Sequence, residues 1–296
     1  MAPVQASNLS NPLATPDQLA SSGSQLDGIP ADLEDSLRFA GARLTQMAGV
    51  LLKLPQDIIA QAIVIFTRFW LGTEGGSFRE YGVQDVSSAS LYMTAKLSAH
   101  PKSPRSVLNV YAYLSSFPST YLPPSTYQQP QDPEAYYVSE GTYHALRAIL
   151  MKTEAHVLRV LGFDTHVALP YTLCINYLQA LDVIPGSADV AKRAFAHLNS
   201  ALLSPQLLYL THQPPALATA AIYLAAREAG FKLPSEEWWE VFDTDREELG
   251  FLVVGLMSVG GFAEGERERW GRRKVPMSLE EVEGELERRK MLEGGE

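Results

Sequence analysis

The chain has 296 residues, 46% hydrophobic and 20% charged, with a formal net charge of −10 and one cysteine, Cys174. This composition is globular and the length predicts about two domains; the acidic balance argues against a protein wrapped in nucleic acid, which needs clustered Lys and Arg. A single cysteine excludes a disulfide framework or a multi-cysteine zinc site within the chain, and points to a reducing compartment, cytosol or nucleus.

Residues 1–30 are rich in Ser, Pro, Ala, Gln and Gly, with neither a basic n-region nor an apolar h-region, so a disordered N-terminal arm and no secretory signal are expected. From Leu33 to Leu52 apolar residues recur at steps of three and four, a helical stripe. Pro55 marks the start of a second helix that is apolar almost all round, as a central buried helix would be. Its longest apolar stretch, residues 58–66, is far short of the about 20 residues of a membrane span, and no membrane association is expected. A third helix runs through VQDVSSASLYMTAKLSAH and stops at Pro101, and a fourth covers SPRSVLNVYAYLSS. Residues 117–136 hold five prolines and read as a long surface insertion. A fifth helix spans about Ser139 to Leu161, ended by Gly162. Helical patterning resumes after Pro170, near 170–181, 187–203, 214–229, 235–241 and 245–258, and no alternating strand pattern appears. The fold class is therefore all-α.

The segment ASLYMTAK at 89–96 aligns with AAIYLAAR at 220–227. Ala89 meets Ala220, Tyr92 meets Tyr223, Ala95 meets Ala226 and Lys96 meets Arg227. Each segment is the third helix of five, so the pattern predicts two tandem five-helix bundles with these as central helices. The expected organisation is an arm over 1–30, a first bundle over 31–166 carrying the 117–136 insertion, a second over 167–262, and a charged tail over 263–296. Residues 264–296 hold 8 Lys and Arg and 10 Asp and Glu, and read as a solvated charged helix.

Chemistry-bearing motifs are sparse. No GxSxG elbow, Walker loop, GxGxxG after a strand or HExxH appears, and none of the six histidines joins a helical i, i+4 pair with a third ligand. No catalytic residue, metal or cofactor is expected, and an enzyme is the weaker class. Ser103-Pro104-Arg105 has the shape of a proline-directed phosphorylation site, but Ser103 reads better as a helix N-cap before Pro104 at the first turn. Arg272, Arg273 and Lys274, with Arg288, Arg289 and Lys290, have the form of a bipartite nuclear signal.

Four blocks resemble one family in order: GVLLKLPQDIIAQAIVIFTRFW, SASLYMTAKLSAHPKSPRSVLNVYAYL, KTEAHVLRVLGFDTHVALPYTLCINYLQAL and QPPALATAAIYLAAREAGFKLPSEEWWEVFDTDREEL. Over roughly residues 36–260 the chain resembles the cyclins, and among them the transcription-type T, K, L and Q groups. The resemblance implies a non-catalytic activator of a cyclin-dependent kinase, acting in the nucleus on transcription or RNA processing. It implies that Lys96 and Glu154 bond to kinase backbone near the kinase's C-helix, with apolar contacts from Leu97, Leu158 and Phe163. On the residues alone, Lys96 and Glu154 are ordinary snorkelling charges and the three apolar positions read equally as core. The chain departs from the family at Ser98 and Ala99, where acidic residues are usual, and at Thr67, where cell-cycle members carry Asp. A second class stays open: a cyclin-fold scaffold that binds transcription or splicing factors without activating a kinase.

Overall fold

The computed structural model describes residues 9–117, 119, 121, 133–184, 186–271 and 273–293. The chain forms two compact units. The larger comprises Thr15–Thr165 with Glu264–Glu296, and the smaller Met1–Ala14 with His166–Ala263. Among the described residues no strand forms beyond a single bridge between Ser119 and Val275.

In the larger unit two short helices, α1 (Pro16–Ala20) and α2 (Gly23–Leu26), precede α3 (Ala31–Leu51), α4 (Gln56–Phe69), α5 (Val83–Leu97), α6 (Pro104–Ser115) and α7 (Glu140–Val160). Helix α5 is the centre, with α3, α4, α6 and α7 all packed on it. Its buried face is built of small residues, Ser87 to Ser90 with Ala89, so neighbouring backbones approach closely. At Gly41 of α3 a Cβ would lie 2.2 Å from the Phe66 ring. Hydroxyls on the three helices then satisfy one another: Thr45 Oγ1 lies 2.7 Å from Ser87 Oγ, which lies 2.6 Å from the Tyr111 hydroxyl. Helix α6 begins where Ser103 Oγ accepts from Ser106 N at 3.1 Å, with Pro104 at the first turn, so Ser103 is a cap.

The smaller unit holds α8 (Tyr171–Ala180), α9 (Ala188–Ala201), α10 (Leu208–Thr211), α11 (Pro214–Ala229), a 3₁₀ turn at Trp238–Phe242, and α12 (Arg246–Trp270), whose residues from Glu264 count with the larger unit. Here α11 is central, packed by α8, α9, α10 and the 3₁₀ turn. Ala89 and Ala220 are both fully buried, as central helices require. The helix expected at 235–241 is only this 3₁₀ turn, because Trp238 docks inward while Asp243 adopts a left-handed conformation that ends the segment. Helix α12 runs twelve residues past its expected end, since the glycines at 260, 261 and 265 weaken a helix without ending it. It is long and apolar enough, by length and composition, to cross a membrane, unlike the stretches expected from sequence. Its Leu249, Leu252, Val253, Leu256 and Val259 are buried in the protein core.

Two expectations need correction. Residues 9–30 of the arm are ordered, with polar residues used as caps and bridges, while residues 1–8 lie outside the described residues. Asn11 donates through Nδ2 to Ala168 O and accepts at Oδ1 from Ala168 N (2.8 and 2.7 Å). Ser22 caps α2 and bonds to the fully buried Glu34, and Ser24 accepts from Phe78 N. Such residues read as disorder by composition because their partners lie far away in sequence. The charged tail is also not a solvated helix. Helix α13 (Leu279–Glu293) buries Val282 and Leu286, and the segment before it buries Trp270, Val275 and Met277. Arg273, Arg288 and Arg289 converge on buried Glu285, Arg289 and Arg269 clasp Asp32 of α3, and Arg79 grips Glu283 with two bonds of 2.6 and 2.8 Å. Arg272 lies outside the described residues, as does most of the 117–136 insertion, although Ser119 and Tyr121 are buried and the Tyr121 ring packs on Phe39.

Candidate functional site

Lys96 stands in the last turn of α5, where a cation complements the helix dipole. The helix stops just beyond it, with Ser98 Oγ donating to Ala95 O. Glu154 projects from α7 between the buried Thr153 and Val157. Although 58 positions apart, the two meet: Lys96 Nζ donates to Glu154 Oε1 at 3.1 Å. The bond to Glu154 raises the Lys96 pKa above its ordinary value.

The partners are unequal. Glu154 is only 8% exposed, while half of the Lys96 side chain faces solvent. Lys96 also lies 5.6 Å from the centre of the Tyr92 ring, one turn earlier on α5, which steadies the ammonium from below. An ammonium has three donors and a carboxylate two oxygens. The bond between them uses one donor and one oxygen, and leaves two ammonium donors and the second carboxylate oxygen for further groups.

Leu97 and Phe163 are exposed, and Leu158 is half-buried. Neither Leu97 nor Phe163 is core. Phe163 is 70% exposed and its φ is +64°, a left-handed conformation that bulky residues rarely adopt. Gly162, at φ +58°, turns the chain out of α7, and Phe163 N then donates to Leu158 O at 2.8 Å. The turn thus holds a large apolar ring in water in a backbone conformation that bulky residues rarely adopt. In the chain Leu97 follows Lys96 at the end of α5, Leu158 lies one turn after Glu154 on α7, and Phe163 stands in the turn that follows α7.

Sequence reasoning missed two supports. Tyr92 served only as a repeat marker, yet its position four residues before Lys96 is the i, i+4 spacing of a helical contact. Arg68, at the end of α4, is mostly buried; burial lowers its pKa and the carboxylate of Asp164 opposes that shift. Asp164 follows Phe163 directly in the chain. No sequence signal links positions 68 and 164. Thr67 bonds back to Ile63 O at 2.8 Å and plays no part in the site.

The chain is 30% identical over 283 residues to human Cyclin-L2, covering 95% of the chain and 49% of that protein. It is 28% identical over 285 residues to zebrafish (Danio rerio) Cyclin-L1, covering 96% and 51%. The chain spans about half the length of the curated relatives it matches. Among solved structures it is similar to a chain of the yeast RNA Pol II CTD kinase CTDK-1 complex, with a TM-score of 0.66 at 14% identity, over 95% of this chain and 84% of that one. A chain of the CAK complex from Chaetomium thermophilum bound to ATP-gamma-S matches with a TM-score of 0.51 at 18% identity, over 81% and 66%. No protein-family model matches. The fold, with a central helix in each unit and the other helices packed round it, is the cyclin fold. Over nearly its whole length the chain is similar to the L-type cyclins.

Proposed function

We propose that the protein is a non-catalytic partner of a cyclin-dependent kinase, and that it docks through Lys96, Leu97, Glu154, Leu158 and Phe163. The observation that carries this reading is the Lys96–Glu154 pair joining α5 to α7, with Leu97 next to Lys96 in the chain and Phe163 exposed in the turn after α7. A free carboxylate oxygen accepts a backbone N–H, and a free ammonium hydrogen donates to a backbone C=O. Together they match the start of a kinase helix, where the helix's first N–H groups and the C=O groups of the preceding segment are both free. Leu97 and Phe163 supply apolar area on either side of that polar centre. In kinases, activity requires the C-helix Glu to pair with the ATP-site Lys, and a partner that fixes this helix switches the enzyme on. Ser98 and Ala99 bring no carboxylates to the interface, so its recognition is less electrostatic than in relatives with acidic residues there.

The process is transcription or RNA-processing control, and the compartment is the nucleus. Support for the compartment comes from the family. The basic triplets add little, because Arg273, Arg288 and Arg289 are held in ion pairs. The test is to mix the chain with candidate cyclin-dependent kinases and measure phosphate transfer to a peptide substrate. Activity is expected with one of them and is lost when Lys96→Ala and Glu154→Ala are combined. Binding without stimulation by any kinase favours the scaffold reading instead.

A further inference from the structure

An apolar helix packed on a core is ordinarily polar on its outer face. The first part of α12 is not. Leu252, Val253, Leu256 and Val259 face inward, while Phe251, Val254 and Met257 on the opposite side are each more than half exposed. Gly250 and Gly261 extend this outer stripe. Positions 250, 254, 257 and 261 are spaced four, three, four, the seam along which two helices pack side by side. Phe251 is held in place, because His212 stacks on its ring with centroids 5.3 Å apart. Burial lowers the His212 pKa.

Immediately before this stripe the chain is strongly acidic. Between Glu236 and Glu248 lie seven carboxylates and one cation, Arg246, a net −6 out of the whole chain's −10. Among the described residues these carboxylates form no ion pairs; the bond Asp245 Oδ1 accepts from Glu248 N at 2.7 Å only caps α12. This contrasts with Asp32, Glu154, Asp189, Glu228 and Glu285, each of which is ion-paired. An apolar helix seam thus continues from an uncompensated negative segment of the same unit.

We infer that the outer face of α12 is a docking surface for an amphipathic, Lys- or Arg-rich helix of a partner protein. The apolar stripe of that helix lies along Val254 and Met257, and its cations meet the carboxylates of 236–248. The charge decides between occupants. A second copy of the chain brings another net −10 to the same place, and nucleic acid or an anionic membrane is repelled. The surface uses none of the residues proposed to dock a kinase.

The test uses the full chain and a fluorescein-labelled synthetic peptide of three Leu/Lys heptads, with a scrambled peptide of the same composition and a Leu/Glu counterpart as controls. The amphipathic Lys peptide should bind at least about tenfold more tightly than either control. Val254→Asp with Met257→Asp should weaken it by at least about tenfold, as should Glu247→Lys with Glu248→Lys, while Lys96→Ala with Glu154→Ala leaves it unchanged. A methyl-labelled sample gives a readout without substitution: the Met257 methyl resonance should shift on titration. Equal binding of the scrambled peptide means charge attraction alone and overturns the inference. So does a stationary Met257 resonance, or a dimer of the chain that Val254→Asp dissolves.

Discussion

The two central helices carry the same pattern, and each ends on a cation lying over a tyrosine one turn earlier. Lys96 Nζ is 5.6 Å from the Tyr92 ring and the Arg227 guanidinium 5.8 Å from the Tyr223 ring. Ala89 and Ala220 are equally buried. The difference is what the cation meets next. Lys96 finds Glu154 on α7, whereas Arg227 makes no ion pair among the described residues. The alanines, tyrosine and cation are thus what the packing of a central helix needs, since both units have them. The carboxylate is extra. Burying one costs desolvation that its partner only partly offsets, and of the two central-helix cations only Lys96 meets such a carboxylate.

Removing that carboxylate should have the largest effect. Glu154→Ala leaves Lys96 without its partner in a desolvated kinase interface, at a cost of about 2–5 kcal/mol, or on the order of 30- to 5,000-fold in affinity. Folding loses far less, about 1 kcal/mol, because Lys96 stays hydrated in the free protein. Kinase affinity by calorimetry and melting temperature, measured together, check both halves. Unchanged affinity removes Glu154 from the interface.

This contrast was partly legible in the sequence. The repeat is visible because small residues at helical steps leave a mark in eight positions, and Lys96 and Glu154 followed from the resemblance. The exposure of Leu97 and Phe163 was not visible, because a helical apolar residue reads as core until the turn after α7 is known to point Phe163 outward. Nor was the ordering of the arm and tail. Asn11 reaches Ala168 across 157 positions and Arg289 reaches Asp32 across 257. Periodicity reports local faces, so polar contacts of that range leave no trace in it. The charged run over 264–296 reads as a solvated helix, yet Glu285 and Arg289 form an ion pair in which Glu285 is buried.

That cluster sharpens the comparison, because it belongs to the larger unit. Arg288, with Arg289 and Arg273, holds the Glu285 carboxyl down to about 2, and Arg289, with Arg269, holds Asp32 down to about 2. Unfolded, these groups titrate near 4.5 and 3.8. Both folded values are depressed, so the stabilisation is complete above about pH 4.5 and is lost as the pH falls towards about 2. Denaturant midpoints between pH 6 and pH 3 should decline, and the decline should be shallower in Glu285→Gln with Asp32→Asn. An equal slope in the variant would place the acid sensitivity elsewhere.

The smallest effect is expected at the counterpart of Lys96. Arg227 is exposed and its contact with Tyr223 is a surface cation–π interaction, about 0.5–1 kcal/mol. Arg227→Ala should therefore lower the melting temperature only slightly and leave kinase affinity as it was, while Lys96→Ala, equivalent in the repeat, should weaken binding strongly. Stability and affinity measured on the two variants side by side separate the part of the motif that builds a bundle from the part that recognises a partner. If Arg227→Ala weakens binding as much as Lys96→Ala does, the carboxylate does not define the site. The kinase would then be contacted through both central helices, and the asymmetry between them would lie in stability alone.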